Sequence, residues 1–387
     1  MFYLDVAATS GYRDIDDIIF NTITDTMKRY WENPSSLYAT DVKEKIDKCR
    51  VNISKFIGAK SDEIIFTSGA SESNNAAIRG WVDNTWMTTY KTTDIITTRI
   101  EHKSIMEMLD KSNLDATIYF CDVDKYGIVD CNSLENLLMV RRNKPILVSI
   151  HMANNEIGVI QPIKEISDLV HKYGGVLHVD ATQAFGHIPI NVEELGIDMM
   201  SASGHKVSPI LKGIGFLYKK NGINIQPLIY GNQESGMRGG TENTFGIIGL
   251  SKAVDYCDVS QKTIDEMCEK RDYFINLLKS KFNKSDFECK LNGHSKQRLP
   301  NNINITLPQN VTGESLLYTL DASGIQISTG SACNSSSVVP SHVLKAIGTT
   351  DEEAMKTIRI TLPDDITYEE IDYVVEEINK AIRIIEI

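Results

Sequence analysis

The sequence predicts an α/β protein: a mostly parallel seven-stranded sheet between helices, accompanied by a smaller α+β domain. Short apolar runs of strand length alternate with longer segments of helical period, which is typical of a parallel sheet covered on both faces. Polar residues closely follow several of these runs, where the carboxyl ends of strands would carry a functional site. From about Thr263 the pattern changes, and this change predicts the second domain.

Seven apolar runs have the length of strands. They lie at residues 63–67, 94–98, 117–120, 146–150, 176–179, 199–201 and 215–218. Segments of helical period fall between most of them, for example at residues 71–80, 163–173 and 192–195. This alternation of strands and helices is the basis of the predicted sheet.

The C-terminal part has a different order of elements. A charged helix over residues 265–282 leads into a strand with alternating apolar positions at 300–306. A cysteine-containing loop, a strand at 359–362 and an amphipathic helix at 368–384 follow. We therefore expect a large domain over residues 14–258. Residues 1–13 and 259–387 should form the small domain, which carries the cysteine loop.

Composition argues against several classes of protein. The 387 residues are 42% hydrophobic and 24% charged, and the net charge of −12 disfavours binding to nucleic acid or to an anionic membrane. Seven cysteines without a C-x-x-C pair argue against a disulfide framework, an iron–sulfur cluster or a structural zinc site, so no metal is expected. No signal peptide or membrane-spanning run is recognised, so the expected location is the cytoplasm.

Two residues at predicted strand ends suggest a cofactor. Lys206 follows the strand at 199–201, where partial desolvation would lower the pKa of its amine and let it attack an aldehyde. Asp180 follows the strand at 176–179, where an acid could keep a pyridine nitrogen protonated. Pyridoxal phosphate requires such a lysine and such an acid. One Asp and one Lys at strand ends are common in α/β proteins, so the pair alone does not decide the matter.

A segment after the first predicted strand could bind a phosphate. The strand at 63–67 breaks at Gly69, and Ser71 with Glu72 and Ser73 is typical of a helix N-cap. A helix N-terminus preceded by small residues offers free backbone N–H groups and a partial positive charge. An ordinary capped helix is the alternative explanation.

Cys333 lies in a run of Ser, Gly, Thr and Asn at residues 328–337. This composition is typical of a mobile, solvated loop, whereas buried cysteines have apolar neighbours. An exposed thiol in such a loop is a candidate nucleophile or sulfur carrier. A surface cysteine without a role is the alternative.

Ten short motifs in one order carry a family resemblance. They are YLDVAAT at 3–9, NPSS at 33–36, FTSGASES at 66–73, EHK at 101–103, NNEIG at 154–158, HVDATQ at 178–183, SGHK at 203–206, GMRGGT at 236–241, GSAC at 330–333 and IR at 358–359. In these motifs the chain resembles the NifS/IscS group of cysteine desulfurases, within the class V aminotransferases of pyridoxal-phosphate fold type I. The resemblance covers nearly the whole length.

The resemblance implies pyridoxal 5'-phosphate as cofactor. Lys206 would be the Schiff-base lysine, Asp180 the partner of the pyridinium nitrogen, and His102 the histidine that stacks on the ring and handles protons. The remaining contacts to the cofactor from the same chain would come from Ala70, Ser71, Asn155, Gln183, Ser203 and His205.

The resemblance also implies a substrate and partners. Arg359 would bind the carboxylate of L-cysteine, Asn155 would contribute a polar contact, and Cys333 would remove the sulfur as the nucleophile. Thr241 would bind the phosphate of a second subunit, which implies a homodimer with shared active sites. A sulfur-acceptor protein would then receive the sulfur for iron–sulfur cluster assembly, tRNA thiolation or a similar use.

A few positions depart from the family pattern. Val6 stands where Tyr or Asn is usual, Ser235 where Arg is frequent, and Pro363 where Gly is common. The segment between Lys206 and Gly213 is one residue longer than usual. None of these differences removes a chemical group, so they bear on partner choice more than on catalysis.

Three alternative functions remain open at this point. A selenocysteine lyase would use the same groups as a desulfurase. Another class V aminotransferase-like enzyme, such as a transaminase, would have no use for Cys333 in a mobile loop. A degenerate binding or assembly subunit would be expected to lose Lys206, Asp180 or Cys333 first, and all three are present. A nicotinamide dehydrogenase fits poorly because no G-x-G-x-x-G follows an early strand.

Overall fold

The computed structural model describes residues 1–282, 289–307, 311–329, 331–334 and 337–385; the side chains of 282, 331–334, 337 and 338 are outside the description. Within these ranges no helix is both long enough and apolar enough to cross a membrane. The helices are α1 (Asp14–Arg29), α2 (Thr40–Phe56), α3 (Ala70–Thr89), α4 (Lys103–Lys111), α5 (Cys131–Arg141), α6 (Ile163–Lys172), α7 (Val192–Leu195), α8 (Thr244–Val254), α9 (Gln261–Phe282), α10 (Gly313–Ala322), α11 (His342–Ala346), α12 (Asp351–Met355) and α13 (Tyr368–Ile385).

The strands follow the predicted alternation with the helices. They are β1 (Phe2–Tyr3), β2 (Ile64–Thr67), β3 (Thr93–Thr98), β4 (Ala116–Cys121), β5 (Ile146–His151), β6 (Val176–Asp180), β7 (Met199–Ser203), β8 (Gly215–Lys219), β9 (Lys290–Leu291), β10 (Asn302–Thr306), β11 (Ile325–Gln326), β12 (Ser328–Thr329), β13 (Ser331–Asn334), β14 (Ser337–Pro340) and β15 (Thr357–Thr361). Single 3₁₀ turns lie at Ser61–Glu63, Gly204–Lys206 and Glu234–Gly236.

The large sheet has the strand order β2-β8-β7-β6-β5-β3-β4, and β8 runs antiparallel to its neighbours β2 and β7. The other pairings are parallel. Strand β5 is buried at every position because its near-continuous apolar sequence serves both faces. Ile146, Val148 and Ile150 join one core cluster, whereas Leu147 joins the cluster on the opposite face. The predicted α/β fold with a seven-stranded, mostly parallel sheet is confirmed.

Helices cover both faces of this sheet through apolar stripes. On α6, Ile163, Ile166 and Val170 are buried at helical spacing. Residues of α1, α2, α5, α6 and α8 belong to the same cluster as Ile146, whereas residues of α3 and α4 belong to the cluster of Leu147. The helices therefore cover both faces of the sheet. The carboxyl ends of the parallel strands remain accessible at one edge of it.

The start of α3 differs from the predicted cap. The helix begins at Ala70, so Ser71 lies inside its first turn. The N-cap residue is Gly69, and no side chain among the described residues forms a capping hydrogen bond there. Gly69 has φ +148°, a conformation that favours glycine. The prediction of a Ser71 cap was therefore wrong, because the backbone turn already occurs at the glycine.

A second sheet of four antiparallel strands has the order β12-β15-β10-β9. Its core cluster combines residues of α9, α10 and α13 with Leu4 from the N-terminal segment. Strand β1 pairs with β11, which ties the chain start to this part. The predicted domain boundaries at 13/14 and 258/259 stay a prediction.

The segment around Cys333 was predicted to be a loop, but its described backbone forms a two-stranded hairpin of β13 and β14. Val338 and Val339 provide the strand-forming sequence opposite Ala332 and Cys333. The prediction missed this pairing because it relied on the Ser- and Asn-rich composition. The Cys333 side chain lies outside the description.

Candidate active site

A cavity of about 650 Å³ lies at the carboxyl ends of the large sheet, between the N-terminal segment and β15. It brings together the predicted residues Ala70, Ser71, His102, Asn155, Asp180, Gln183, Ser203, His205, Lys206 and Arg359. These residues come from separate strand ends and loops. The parallel order of the strands explains the convergence of the residues from the large sheet, whereas Arg359 comes from β15 of the smaller sheet.

Lys206 ends the 3₁₀ turn that follows β7. Its Nζ donates hydrogen bonds to the carbonyl oxygens of Ala7 at 2.7 Å and Ala8 at 2.8 Å. Burial lowers the pKa of the amine to about 8, and the positive charge of Arg359 contributes to the decrease. More of this amine is therefore neutral at a given pH than for an exposed lysine, which favours nucleophilic attack.

Asp180 is the last residue of β6 and is 4% exposed. Its Oδ2 accepts a hydrogen bond from Asn74 Nδ2 at 2.8 Å, and its Oδ1 accepts from the backbone N–H of Thr182 at 3.0 Å and from the Thr182 hydroxyl. These donors fix the carboxylate in one orientation. Two residues earlier, His178 lies between the hydroxyls of Ser149 and Ser201, 2.9 Å from each.

His102 is the N-cap of α4, and its Nδ1 accepts a hydrogen bond from the Ser104 backbone N–H at 3.1 Å. In the neutral ring the proton is therefore on Nε2. The ring is open to the cavity, but the protein packed around it lowers its pKa by desolvation. Beneath it, the buried Glu101 accepts from the Thr98 hydroxyl at 2.6 Å and from the His151 backbone N–H at 2.8 Å.

The uncapped start of α3 forms another wall of the cavity, with Ser203 and His205 nearby. Free N–H groups at a helix N-terminus suit a phosphate. His205 Nδ1 lies 3.2 Å from the Thr9 hydroxyl, and burial lowers the pKa of the ring to about 4. A fixed carboxylate, a buried amine and an uncapped helix start in one cavity fit pyridoxal phosphate.

Arg359 reaches the cavity from β15 of the smaller sheet. Its Nη1 donates to the carbonyl of Asn155 at 3.0 Å, and its Nη2 donates to Asp5 Oδ1 at 2.5 Å. The buried Nε has no partner among the described residues, so the guanidinium retains hydrogen-bonding capacity. Gln183 Nε2 donates to the Ala7 carbonyl at 2.9 Å, which anchors the N-terminal segment over the site.

Thr241 is exposed in the single chain and does not line this cavity. Its loop is attached by Arg238, which donates to Glu72 at 2.9 Å, and by Glu234, which accepts two hydrogen bonds from Arg50 at 2.7 and 2.8 Å. The structure therefore does not bring Thr241 together with the other predicted residues of the same chain.

Sequence reasoning missed several residues of the cavity and its supports. Asp5 and Thr182 lie inside the motifs at 3–9 and 178–183, so those motifs could have indicated them. Asn74 and His151 carried no such signal, because their roles depend on contacts across the sheet.

Residues 2–374 match the family described as aminotransferase class-V. The chain belongs to the class-V aminotransferase family. Within this family it is 42% identical to a Dictyoglomus turgidum protein named cysteine desulfurase IscS, over 98% of this chain and 94% of that one. These findings confirm the predicted resemblance.

Two solved structures agree with the fold. A NifS-like protein is 31% identical, with a TM-score of 0.87 over 99% of each chain. A structure described as SspA in complex with cysteine is 33% identical, with a TM-score of 0.77 over 94% of this chain and 99% of that one. The predicted fold type is confirmed by these likenesses.

Proposed function

We propose that this protein is a cysteine desulfurase that uses pyridoxal 5'-phosphate to convert L-cysteine into L-alanine. In this reaction the C–S bond of cysteine breaks, an S–S bond forms on Cys333, and a proton replaces sulfur on the carbon. The products are alanine and a persulfide on the enzyme. The observation that carries the proposal is the meeting of Lys206, Asp180 and Arg359 in one cavity.

The cofactor would be held by residues that the cavity already orients. Lys206 would bind its aldehyde, Asp180 its ring nitrogen, and the start of α3 with Ser203 and His205 its phosphate. When bound, the cofactor would withdraw electrons from the bonds at the substrate Cα. His102 and Gln183 line the same cavity and are proposed to contact the ring.

The protein side chains would position the substrate and move its protons. The Arg359 guanidinium is suited to the carboxylate of cysteine, with Asn155 beside it. The Lys206 amine, with its lowered pKa, can accept and return a proton at Nζ. His102 can exchange a proton at Nε2, because Nδ1 is occupied by the Ser104 N–H.

The proposal includes a homodimer in which Thr241 completes the site of the partner subunit. Large apolar side chains on the single chain support an interface: Trp31 is 74% exposed, Leu37 94% and Tyr230 76%. A reciprocal contribution from each chain requires a closed two-fold dimer. Sulfur would pass from Cys333 to an acceptor protein. Cytoplasmic location is supported by the free thiols of the cysteines whose side chains are described.

Mixing two inactive variants tests the shared site. Thr241→Ala chains and Lys206→Ala chains, refolded together, should recover activity because one site of the mixed dimer receives both intact residues. Sedimentation analysis reports whether the dimer forms. A monomeric protein, or mixed dimers without recovered activity, would refute the shared site.

Replacing the proposed nucleophile tests the activity. Cys333→Ser should bind cofactor and cysteine but lose desulfuration by orders of magnitude, measured as alanine and, with a reductant, sulfide. Cys268→Ser on α9 is the matched control and should keep wild-type rates. Wild-type turnover by Cys333→Ser would show that another group removes the sulfur.

A further inference from the structure

The Cys333 hairpin lies between two described elements, β12, which pairs with β15, and α11, which follows β14. Its register pairs Cys333 with Val338 and Ser331 with Pro340, so Cys333 lies two residues beyond the pair at the base. The chain leaves β14 at Pro340 and continues directly into Ser341 and α11. Contacts made just after Pro340 therefore help to set the direction in which this end of the hairpin leaves the protein surface.

Two consecutive polar side chains at this point bind two different loops of the cavity. The Ser341 hydroxyl donates to Glu156 Oε2, and Glu156 directly follows Asn155. His342 Nε2 donates to the backbone carbonyl of Glu101 at 2.9 Å, and Glu101 directly precedes His102. Ser341 also accepts from backbone N–H groups of α11, so it caps this helix at the same time.

The next two residues add apolar contacts with the same loops. Val343 and Leu344 are 1% and 0% exposed, and they share a small cluster with Ile100 and Ile157. Ile100 belongs to the loop before His102, whereas Ile157 belongs to the loop after Asn155. Apolar packing holds α11 in place but is not directional, so the hydrogen bonds define its orientation.

Glu156 is itself held firmly from two sides. Its backbone N–H donates to Asn154 Oδ1 at 2.8 Å. Its carbonyl accepts from Asn302 Nδ2 at 3.2 Å and from Asn304 Nδ2 at 3.1 Å, both on β10 of the smaller sheet. The carboxylate that accepts the hydrogen bond of the Ser341 hydroxyl therefore belongs to a residue whose backbone is fixed.

We propose that Glu156 and Ser341 are positioning residues that fix the base of the Cys333 hairpin relative to the cavity. Glu156 lies in the NNEIG motif, and the proposed reaction gives it no chemical role. The inference rests on the proposed function in one respect: a correctly directed hairpin matters because Cys333 must reach the substrate sulfur. The contact itself can be tested separately from the reaction.

The test compares a variant that introduces charge repulsion at this contact with a second variant that restores the contact. Ser341→Asp keeps a good helix cap but places a second carboxylate beside Glu156. In Ser341→Asp/Glu156→Gln, the glutamine amide can donate to the new aspartate and restore the contact. Thr350→Asp is the matched control, because Thr350 caps the five-residue helix α12 and its hydroxyl also donates to a glutamate, Glu353. Among the described residues, the hydrogen bonds of this cap stay within α12 and do not reach either cavity loop.

Hydrogen exchange of the backbone over 337–344 and steady-state desulfuration are measured on the full chain loaded with pyridoxal phosphate. Ser341→Asp should raise the exchange rate and lower kcat by about tenfold each, with KM for cysteine within roughly twofold, because one charged hydrogen bond is lost. The double variant should recover most of both losses, and Thr350→Asp should change neither.

If Ser341→Asp had the same exchange rate and the same kcat as Thr350→Asp, the inference would be overturned. The inference would also be overturned if the double variant had a native circular dichroism spectrum but recovered neither the exchange rate nor kcat. If the wild type makes no alanine from cysteine, the proposed function fails, and the exchange rates alone decide whether Glu156 and Ser341 hold the hairpin.

Discussion

The cavity has two walls that are built in different ways. The proposed cofactor wall, formed by Asp180, Ser203 and Lys206, consists of the ends of two adjacent parallel strands, β6 and β7, and the turn that follows β7. The proposed substrate wall contains Asn155 and Arg359, and Asp5 supports it through its ion pair with Arg359; the three segments meet between the two sheets. One wall follows from the fold of a single sheet, whereas the other requires both sheets to be packed correctly.

This difference separates two tasks of the protein. A cofactor that stays bound needs groups at fixed distances, and adjacent parallel strands provide them. A substrate that enters and leaves needs groups whose charge is balanced until it arrives. In the proposed function, Arg359 meets this need through its ion pair with Asp5, a residue 354 positions away in the chain.

Removal of Lys206 should have the largest effect on the cofactor wall. Lys206→Ala should abolish covalent attachment of pyridoxal phosphate and all detectable desulfuration, since no other described amine replaces Nζ between Ala7 and Ala8. Borohydride reduction followed by denaturation and mass spectrometry measures the attachment. Lys172→Ala removes an exposed lysine that pairs with Glu135 and should behave like the wild type. Cofactor retained covalently by Lys206→Ala would contradict the assignment.

Removal of the guanidinium should damage the substrate wall and spare the cofactor wall. Arg359→Ala should raise KM for cysteine roughly ten- to a hundredfold, because a charge-assisted contact is worth about 1.5–3 kcal/mol. Arg359→Lys should lie between this variant and the wild type, since it keeps the charge without the two-pronged geometry.

Steady-state kinetics and cofactor titration together check this separation. An unchanged KM in Arg359→Ala would mean that another group binds the carboxylate. A lost cofactor would mean that the two walls are not independent.

A pH series should reveal an electrostatic link between the two walls. The amine must be neutral to attack an aldehyde, so cofactor uptake should rise about tenfold per pH unit and level off near pH 8, where burial places the pKa of Lys206. Arg359 adds a positive charge that lowers this pKa, so Arg359→Ala should move the inflection upward. Stopped-flow absorbance measures the rate, and a downward shift would contradict the sign.

The comparison also explains what could be predicted from the sequence. The strand that ends in Asp180 and the strand that precedes Lys206 were correctly placed, because each begins with apolar residues and ends in polar ones, a pattern visible in the local sequence. The ion pair of Asp5 with Arg359 has no local pattern, because it depends on how two sheets meet. Likewise, Asn74 supports Asp180 across 106 residues of sequence.

Errors in prediction have similar physical causes. Ser71 was placed at the cap because its side chain suits that position, but Gly69 makes the turn through its backbone freedom. The Cys333 loop proved to be a hairpin in its described backbone, since pairing with a strand that contains Val338 and Val339 overrides a polar composition.

The most direct test follows the sulfur atom itself. Enzyme loaded with pyridoxal phosphate is mixed with cysteine in the absence of a reductant, and peptides are analysed by mass spectrometry after rapid quenching. One extra sulfur atom should appear on the Cys333 peptide, together with alanine in equal amount. Alanine formed without sulfur on Cys333, or sulfur found on another cysteine, would contradict this expectation.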